Sequence, residues 1–251
     1  MTPNSENDIK NSVKEFYAAR SWQNFYTAGE LTPTEKKAFE CFKNGTVLDV
    51  CCGAGRGSFP LAQKGLKVTG IDFTPEMIRQ ANEKARKLGL ETSFLVGDAT
   101  NLPFENCTFD HVICLGSLQC LPTRQQRRQL LLEATRVLKT GGTFFTNTSS
   151  LTYPGKDGFR TLALIVLFLI RLPQRAWCKL KGQTQIGLSL GDVVSKSDKR
   201  SPFLHSFLKS ELRELMDATE MKYEVFTADE FLGKSGVRAR LSLEIAIVAY
   251  K

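Results

Sequence analysis

The sequence predicts an α/β domain built on a doubly wound, mostly parallel sheet of seven strands. Three observations lead there. The apolar run Val47-Leu48-Asp49-Val50-Cys51 stops in the glycine-rich stretch Gly53-Ala54-Gly55-Arg56-Gly57, where helical periodicity begins. From Thr46 to Ser150, short apolar runs alternate with helical stretches, the pattern of right-handed crossovers over a parallel sheet. Acidic residues close successive strands at Asp72 and Asp98, on the edge where open α/β sheets bind ligands.

Taken in order, residues 8–42 read as helical and rich in aromatics, among them Phe16, Tyr17, Trp22, Phe25 and Tyr26. Strand 47–51 leads into helix 58–64, and strand 67–71 into helix 75–88. Thr74 and Pro75 supply an N-cap and first-turn proline for that helix, and Gly89 a stop. Strands 93–96 and 111–115 follow, then helix 124–138 with Gly141-Gly142 as its stop, then strand 143–147. The rhythm breaks over 151–202. It resumes with helix 210–219 and strands 223–227 and 243–249, which the pattern makes an antiparallel edge pair. The chain is thus expected to be one domain, 1–251. It comprises an N-terminal helical segment (1–45), a core (46–150), a cap inserted after the fifth strand (151–202) and a closing helix with edge strands (203–251).

Composition is that of a globular protein, 42% hydrophobic and 24% charged, which excludes a disordered chain or a coiled coil. The polar N-terminus has no signal-peptide core, and the longest apolar run, 162–170, is too short to span a bilayer. A cytoplasmic location is expected. Seven scattered cysteines suit reduced thiols, and Cys51 and Cys52, adjacent in one strand, point to opposite faces. With two histidines, His111 and His205, no zinc-ligand spacing appears and no metal is expected.

The net charge of +8 is uneven: residues 151–200 carry nine Lys/Arg against three Asp. Residues 161–170 are apolar on all sides, then come Arg171, Arg175, Trp177, Lys179 and Lys181. The segment reads as a core helix of the cap. The alternative is peripheral contact of residues 159–181 with an anionic membrane, or entry of a lipophilic substrate. The basic stretch lacks spaced aromatics, which argues against nucleic acid.

The glycine loop lets backbone approach a ligand closely and exposes N–H groups at the following helix. Asp49 lies inside the first strand. Asp72, closing the second, is placed to accept ribose hydroxyls, and Asp98, after the third, to accept from an adenine amino group. Two carboxylates on a neutral nucleoside point to a cofactor without a pyrophosphate. The dinucleotide fingerprint would need Gly or Ala at Ser58, and Gly57 falls one residue early.

The segments Val47-Leu48-Asp49-Val50-Cys51-Cys52-Gly53-Ala54-Gly55, Gly70-Ile71-Asp72-Phe73-Thr74-Pro75, Gly97-Asp98-Ala99-Thr100, Phe109-Asp110-His111-Val112-Ile113 and Glu133 to Gly142 occur in this order. Together they resemble class I S-adenosylmethionine-dependent methyltransferases, a Rossmann-like family. The nearest style is the small-molecule type of the ubiquinone/menaquinone-biosynthesis enzymes. His205 to Leu212 also resembles the segment opening that family's last helix; Thr140 stands where the family has proline. The resemblance implies that S-adenosylmethionine binds with Cys51, Gly53, Ala54 and Gly55 near its methionine part and Asp49 ordering the loop. Asp72 would hold the ribose, Phe73 the adenine face, and Asp98 with Ala99 the adenine edge. Leu115 and Gly116 would lie near the sulfonium, and Phe16, Tyr17 and Tyr26 would form a lid.

The expected reaction is methyl transfer to a small, apolar or lipophilic metabolite, driven mainly by proximity and orientation. His205 is the candidate base, because histidine titrates near neutral pH; His111 and Cys114 read as structural. Two other classes stay open: a protein or nucleic-acid methyltransferase, and a non-catalytic S-adenosylmethionine-binding protein. The first lacks an Asn-Pro-Pro-Tyr motif, since strand four continues as Leu115-Gly116-Ser117-Leu118.

Overall fold

Strand β1 (Thr46–Val50) is buried along almost its whole length, and its alternation defines the two faces of the sheet. Leu48 and Val50 enter one core and Val47 the other, as a pleated strand requires. The computed structural model describes residues 30–151, 192–194, 203–235 and 244–251, with Val13, Glu15, Phe16, Val166 and Leu169. Within them β2 (Lys67–Asp72), β3 (Thr92–Val96), β4 (Phe109–Leu115) and β5 (Leu138–Ser149) run parallel to β1. β6 (Asp192–Val194) and β7 (Phe203–His205) form a separate antiparallel ribbon. β8 (Lys222–Thr227) and β9 (Glu244–Tyr250) complete a seven-stranded sheet of order β3-β2-β1-β4-β5-β9-β8. The two closing strands pair antiparallel as expected, but β9 is interior, between β5 and β8.

Helices cover both faces. α1 (Pro33–Glu40) and α2 (Ser58–Gln63) bring Phe39 and Leu61 onto Val47, Val68, Ile113 and Phe145. α3 (Pro75–Leu88) turns Ile78, Ala81 and Ala85, spaced for one helical face, toward Phe59 and Phe94. α4 (Arg124–Val137) and α5 (Lys209–Met216) set Leu130, Leu131, Leu212 and Met216 against Leu48, Val112 and Phe144. The short α6 (Ala228–Phe231) follows β8. α3 has the predicted span, and Gly89 closes it in the left-handed region (φ 64°).

α4 differs from expectation: it stops at Val137, and Gly141-Gly142 lie within β5. Leu138 turns extended (φ −76°, ψ 132°), fully buried and paired with Phe109. Burial of that leucine ends the helix before the glycines are reached. At the far end of β5, Leu151 donates its N–H to Phe207 O and Phe207 donates to Ser149 O. The two ends flanking residues 152–202 are thereby zipped together. The sheet order reverses between β1 and β4, which makes the C-terminal ends of these strands the switch point of the fold.

Candidate active site

A cleft of about 290 Å³ opens at that switch point, the scale of a small-molecule site. The loop after β1 forms its floor. Cys51 begins the loop with φ 58°, a left-handed conformation that disfavours side chains by about 1–3 kcal/mol. Gly53 (φ 55°) has no atom within 4 Å of where a Cβ would stand, so bare backbone borders the cleft. Gly55 plays another part: it does not line the cleft, and a Cβ there would stand 2.7 Å from Phe59. A glycine there is required by packing below the loop. Every other residue expected to hold the cofactor lines the cleft.

Asp72, 7% exposed, ties two pieces of the site together. Its Oδ2 accepts the Gly53 N–H (2.9 Å) and its Oδ1 the Thr74 N–H (2.8 Å). Burial raises its carboxyl above the usual range despite those bonds. Asp98 Oδ1 accepts from the Thr100 N–H (2.9 Å) and hydroxyl (2.7 Å), holding the turn after β3. Phe73 and Ala99 lie on the same wall, and Leu115 and Gly116 stand across it. Asp49, 2% exposed, accepts the Ser58 hydroxyl at 2.7 Å, and burial pushes its carboxyl up to about 7. The Cys51 thiol is hydrogen-bonded to Cys114 and shielded from water, and both hold it well above the ordinary range. A neutral thiol in this position is no nucleophile.

Sequence reasoning missed a polar hub beside the loop. Arg56, on the cleft wall, donates two hydrogen bonds to Glu35 of α1, at 2.6 and 2.7 Å. Glu35 also takes the Thr32 N–H in a capping box at the start of α1. Burial alone would raise its carboxyl, and Arg56 outweighs burial and holds it low. Asn147, beside Leu115 in the sheet register, accepts the Gly116 N–H (2.9 Å) and donates to Glu35 (3.0 Å) and Glu244 (2.7 Å). The only local signal was the Thr32-x-x-Glu35 capping pattern. Partners far apart in the chain assemble the rest.

The opposite side of the cleft is neutral, lined by Gln119, Cys120, Leu121, Pro122 and Gln126. From the N-terminal segment, Val13 is buried and lines the cleft. Phe16 is half-buried and is not on the cleft wall, while Tyr17 and Tyr26 lie outside the described residues. His205 needs correction. It is wholly buried off the cleft wall, and carboxylates occupy both ring nitrogens, Asp192 at 2.6 Å and Glu211 at 2.9 Å. A base must reach a substrate proton, and this ring has neither a free nitrogen nor access. Among the described residues, no cluster of three or more His, Cys, Asp or Glu is arranged to hold a metal.

These residues fit S-adenosylmethionine. Asp72 and Asp98 offer acceptors to a nucleoside's hydroxyl and amino donors, and Gly53 offers backbone at close range. Among the described residues the cleft's one basic side chain, Arg56, is engaged by Glu35, which suits a cofactor without pyrophosphate.

Residues 47–142 match the methyltransferase domain family. A demethylmenaquinone methyltransferase of Bacillus cytotoxicus is 32% identical over 162 residues, covering 63% of this chain and 62% of that enzyme. One from Bacillus cereus is 31% identical over 157 residues, 61% of this chain and 60% of its own. The chain thus spans about three fifths of the length of the curated relatives it matches. Among solved structures, a Methanosarcina mazei S-adenosylmethionine-dependent methyltransferase superposes with a TM-score of 0.64 at 23% identity, covering 89% of this chain and 99% of that one. A Pyrococcus horikoshii protein gives 0.61 at 23% identity, over 92% of both chains. At that identity the superpositions speak for the fold, and the domain match speaks for residues 47–142. With the glycine loop at the switch point and acids ending β2 and following β3, residues 47–142 are similar to a methyltransferase domain on a fold shared with S-adenosylmethionine-dependent methyltransferases.

Proposed function

We propose that the protein transfers a methyl group from S-adenosylmethionine to a small, lipophilic, quinone-type acceptor, chiefly by proximity and orientation. The observation that carries this reading is the asymmetry of the cleft. One side bears Asp72 and Asp98, and the other offers apolar and thiol surface with two neutral amides, Gln119 and Gln126. The relatives named for demethylmenaquinone support the acceptor class.

Bound S-adenosylmethionine supplies a methyl group already activated on positive sulfur. What remains for the chain is alignment and exclusion of water. Asp72 and Asp98 would hold the adenosine. Leu115 and Gly116 would set the methyl's direction, and Leu121 and Pro122 would close the acceptor side. Alignment of this kind supplies about 7–11 kcal/mol in favourable cases. Among the described residues, no charged base stands on the acceptor wall.

Asp49 adds a pH dependence. Its carboxyl, pushed up to about 7, is protonated in acid and must lose that proton to meet a cationic ligand. Donor affinity is therefore expected to rise roughly tenfold from pH 6 to pH 8, and Asp49→Asn to abolish the slope. Calorimetry at both pH values decides; equal affinities in the native protein would refute the linkage.

The same reading places residues 159–181 against an anionic membrane. In that segment Val166 and Leu169 are helical and 45% and 53% exposed, while no helix among the described residues is long and apolar enough to cross a bilayer. The test is label transfer from methyl-labelled donor to demethylmenaquinol in phosphatidylglycerol or phosphatidylcholine vesicles. Labelled quinol is expected, formed faster on the anionic vesicles. Deleting residues 159–181 should spare donor binding and abolish transfer. Label appearing on protein or nucleic acid instead would overturn the acceptor assignment.

A further inference from the structure

Behind the Leu121–Pro122 wall, three buried ionisable side chains, His205, Asp192 and Arg127, meet the half-buried Glu211. His205 ends β7 with none of its surface exposed. Its Nδ1 stands 2.6 Å from Asp192 of β6 and its Nε2 2.9 Å from Glu211 of α5. Arg127 of α4 lies 3.7 Å from Asp192 and 3.6 Å from Glu211, its guanidinium over the rings of Phe203 and Phe207. Its Nε–H donates to Leu121 O at 3.0 Å, and Leu121 lines the cleft. The cluster therefore joins the ribbon at the end of the insertion to the wall of the site.

Carboxylates only accept. A ring with both nitrogens against carboxylate oxygens must donate from both, and only the imidazolium does so. With His205 protonated, two negative and two positive groups balance. We propose that His205 is held as an imidazolium and that Arg127 is a positioning residue for the Leu121 wall, its hold on that wall released when His205 loses its proton. The neutral ring keeps one N–H. The Asp192 side chain is 2% exposed and that of Glu211 22%, so the bond to Glu211, nearer water, is the one that breaks. Arg127, the cation left in the cluster among the described residues, is then drawn onto the freed carboxylate and off the Leu121 carbonyl.

Among the described residues, the charged groups facing His205 are Asp192, Glu211 and Arg127, with Arg124 acting on Arg127 at longer range. Burial alone would lower the ring's pKa; the bonds to Asp192 and Glu211 outweigh it and raise it above 6.5. The stabilisation is thus complete below pH 6.5 and lost as pH rises through the folded value. The charge state and the loosening stand independently of the reaction; calling this wall the acceptor side rests on the proposed function.

The test needs no substrate. Ring ¹⁵N spectra resolve two histidines, assigned by His111→Asn; His205 is expected with both nitrogens protonated at pH 6.5. Across its titration, amide exchange at residues 118–121, corrected for intrinsic pH dependence, should accelerate at least tenfold, with residues 51–57 unaffected. Arg127→Lys keeps the charge but loses the Nε–H, and should show fast exchange at all pH values. If that variant does not fold, the native pH series still decides. A single neutral tautomer at pH 6.5, or exchange at 118–121 indifferent to the titration, would overturn the proposal. Absence of quinol methylation would touch only the function proposed above.

Discussion

Replacing Arg56 with methionine is expected to destabilise the fold by about 2–3 kcal/mol and to lower the melting temperature by roughly 5–12 °C. Glu35 is 1% exposed and carries its charge under the Arg56 fork. Removing one partner of a buried pair typically costs about 3–5 kcal/mol, because the other charge is left without a counter-ion. The lower figure applies because the Arg56 side chain is 21% exposed, so water can replace part of what is lost. Neutralising both partners, Arg56→Met with Glu35→Gln, should recover part of the loss, since no unpaired charge is left and the amide oxygen still accepts one of the two N–H groups, from Thr32 and Asn147, that Glu35 takes. Thermal unfolding of the two single variants and the double variant measures this coupling directly. Additive losses would mean that the pair is not the unit described.

The contrast between these residues and the glycine loop explains what the sequence made legible. The loop, Asp72 and Asp98 follow from local pattern: a strand's period of two, a helix start, and an acid where the strand runs out. Each is set within a few residues, and the parallel topology then places all of them on one edge. Cys51 belongs to this legible stretch, yet its left-handed backbone is visible only in the structure. Gly55 was read by type rather than by neighbour, and its neighbour is Phe59.

The hub around Asn147 was invisible for the opposite reason. Its partners come from α1, the turn after β4 and β9, and none sits at a spacing that marks another. The same holds for His205. A lone histidine near a resembling motif reads as a base, and only the packing of β6, α4 and α5 around it shows two carboxylates and a guanidinium. The end of α4 is a third instance, where burial of Leu138 overrides a local glycine stop.

Asp72→Ala should weaken S-adenosylmethionine binding by roughly tenfold to a hundredfold, the loss of about 1.5–3 kcal/mol for hydrogen bonds to a charged acceptor. The substitution does two things. It removes the acceptor proposed for the ribose hydroxyls, and it frees the Gly53 and Thr74 N–H groups that Asp72 ties to β2. Asp72→Asn separates them: the amide oxygen can still take one backbone N–H, while its nitrogen now donates. Relaxation of the loop alone would leave the asparagine variant between the native protein and the alanine variant. A ribose contact needs an acceptor at both oxygens, so the asparagine variant should bind nearly as poorly as alanine while melting closer to the native protein. Calorimetry and thermal unfolding on the same samples distinguish the two contributions. Native affinity in both variants would remove Asp72 from the cofactor site and leave it as a brace for the turn.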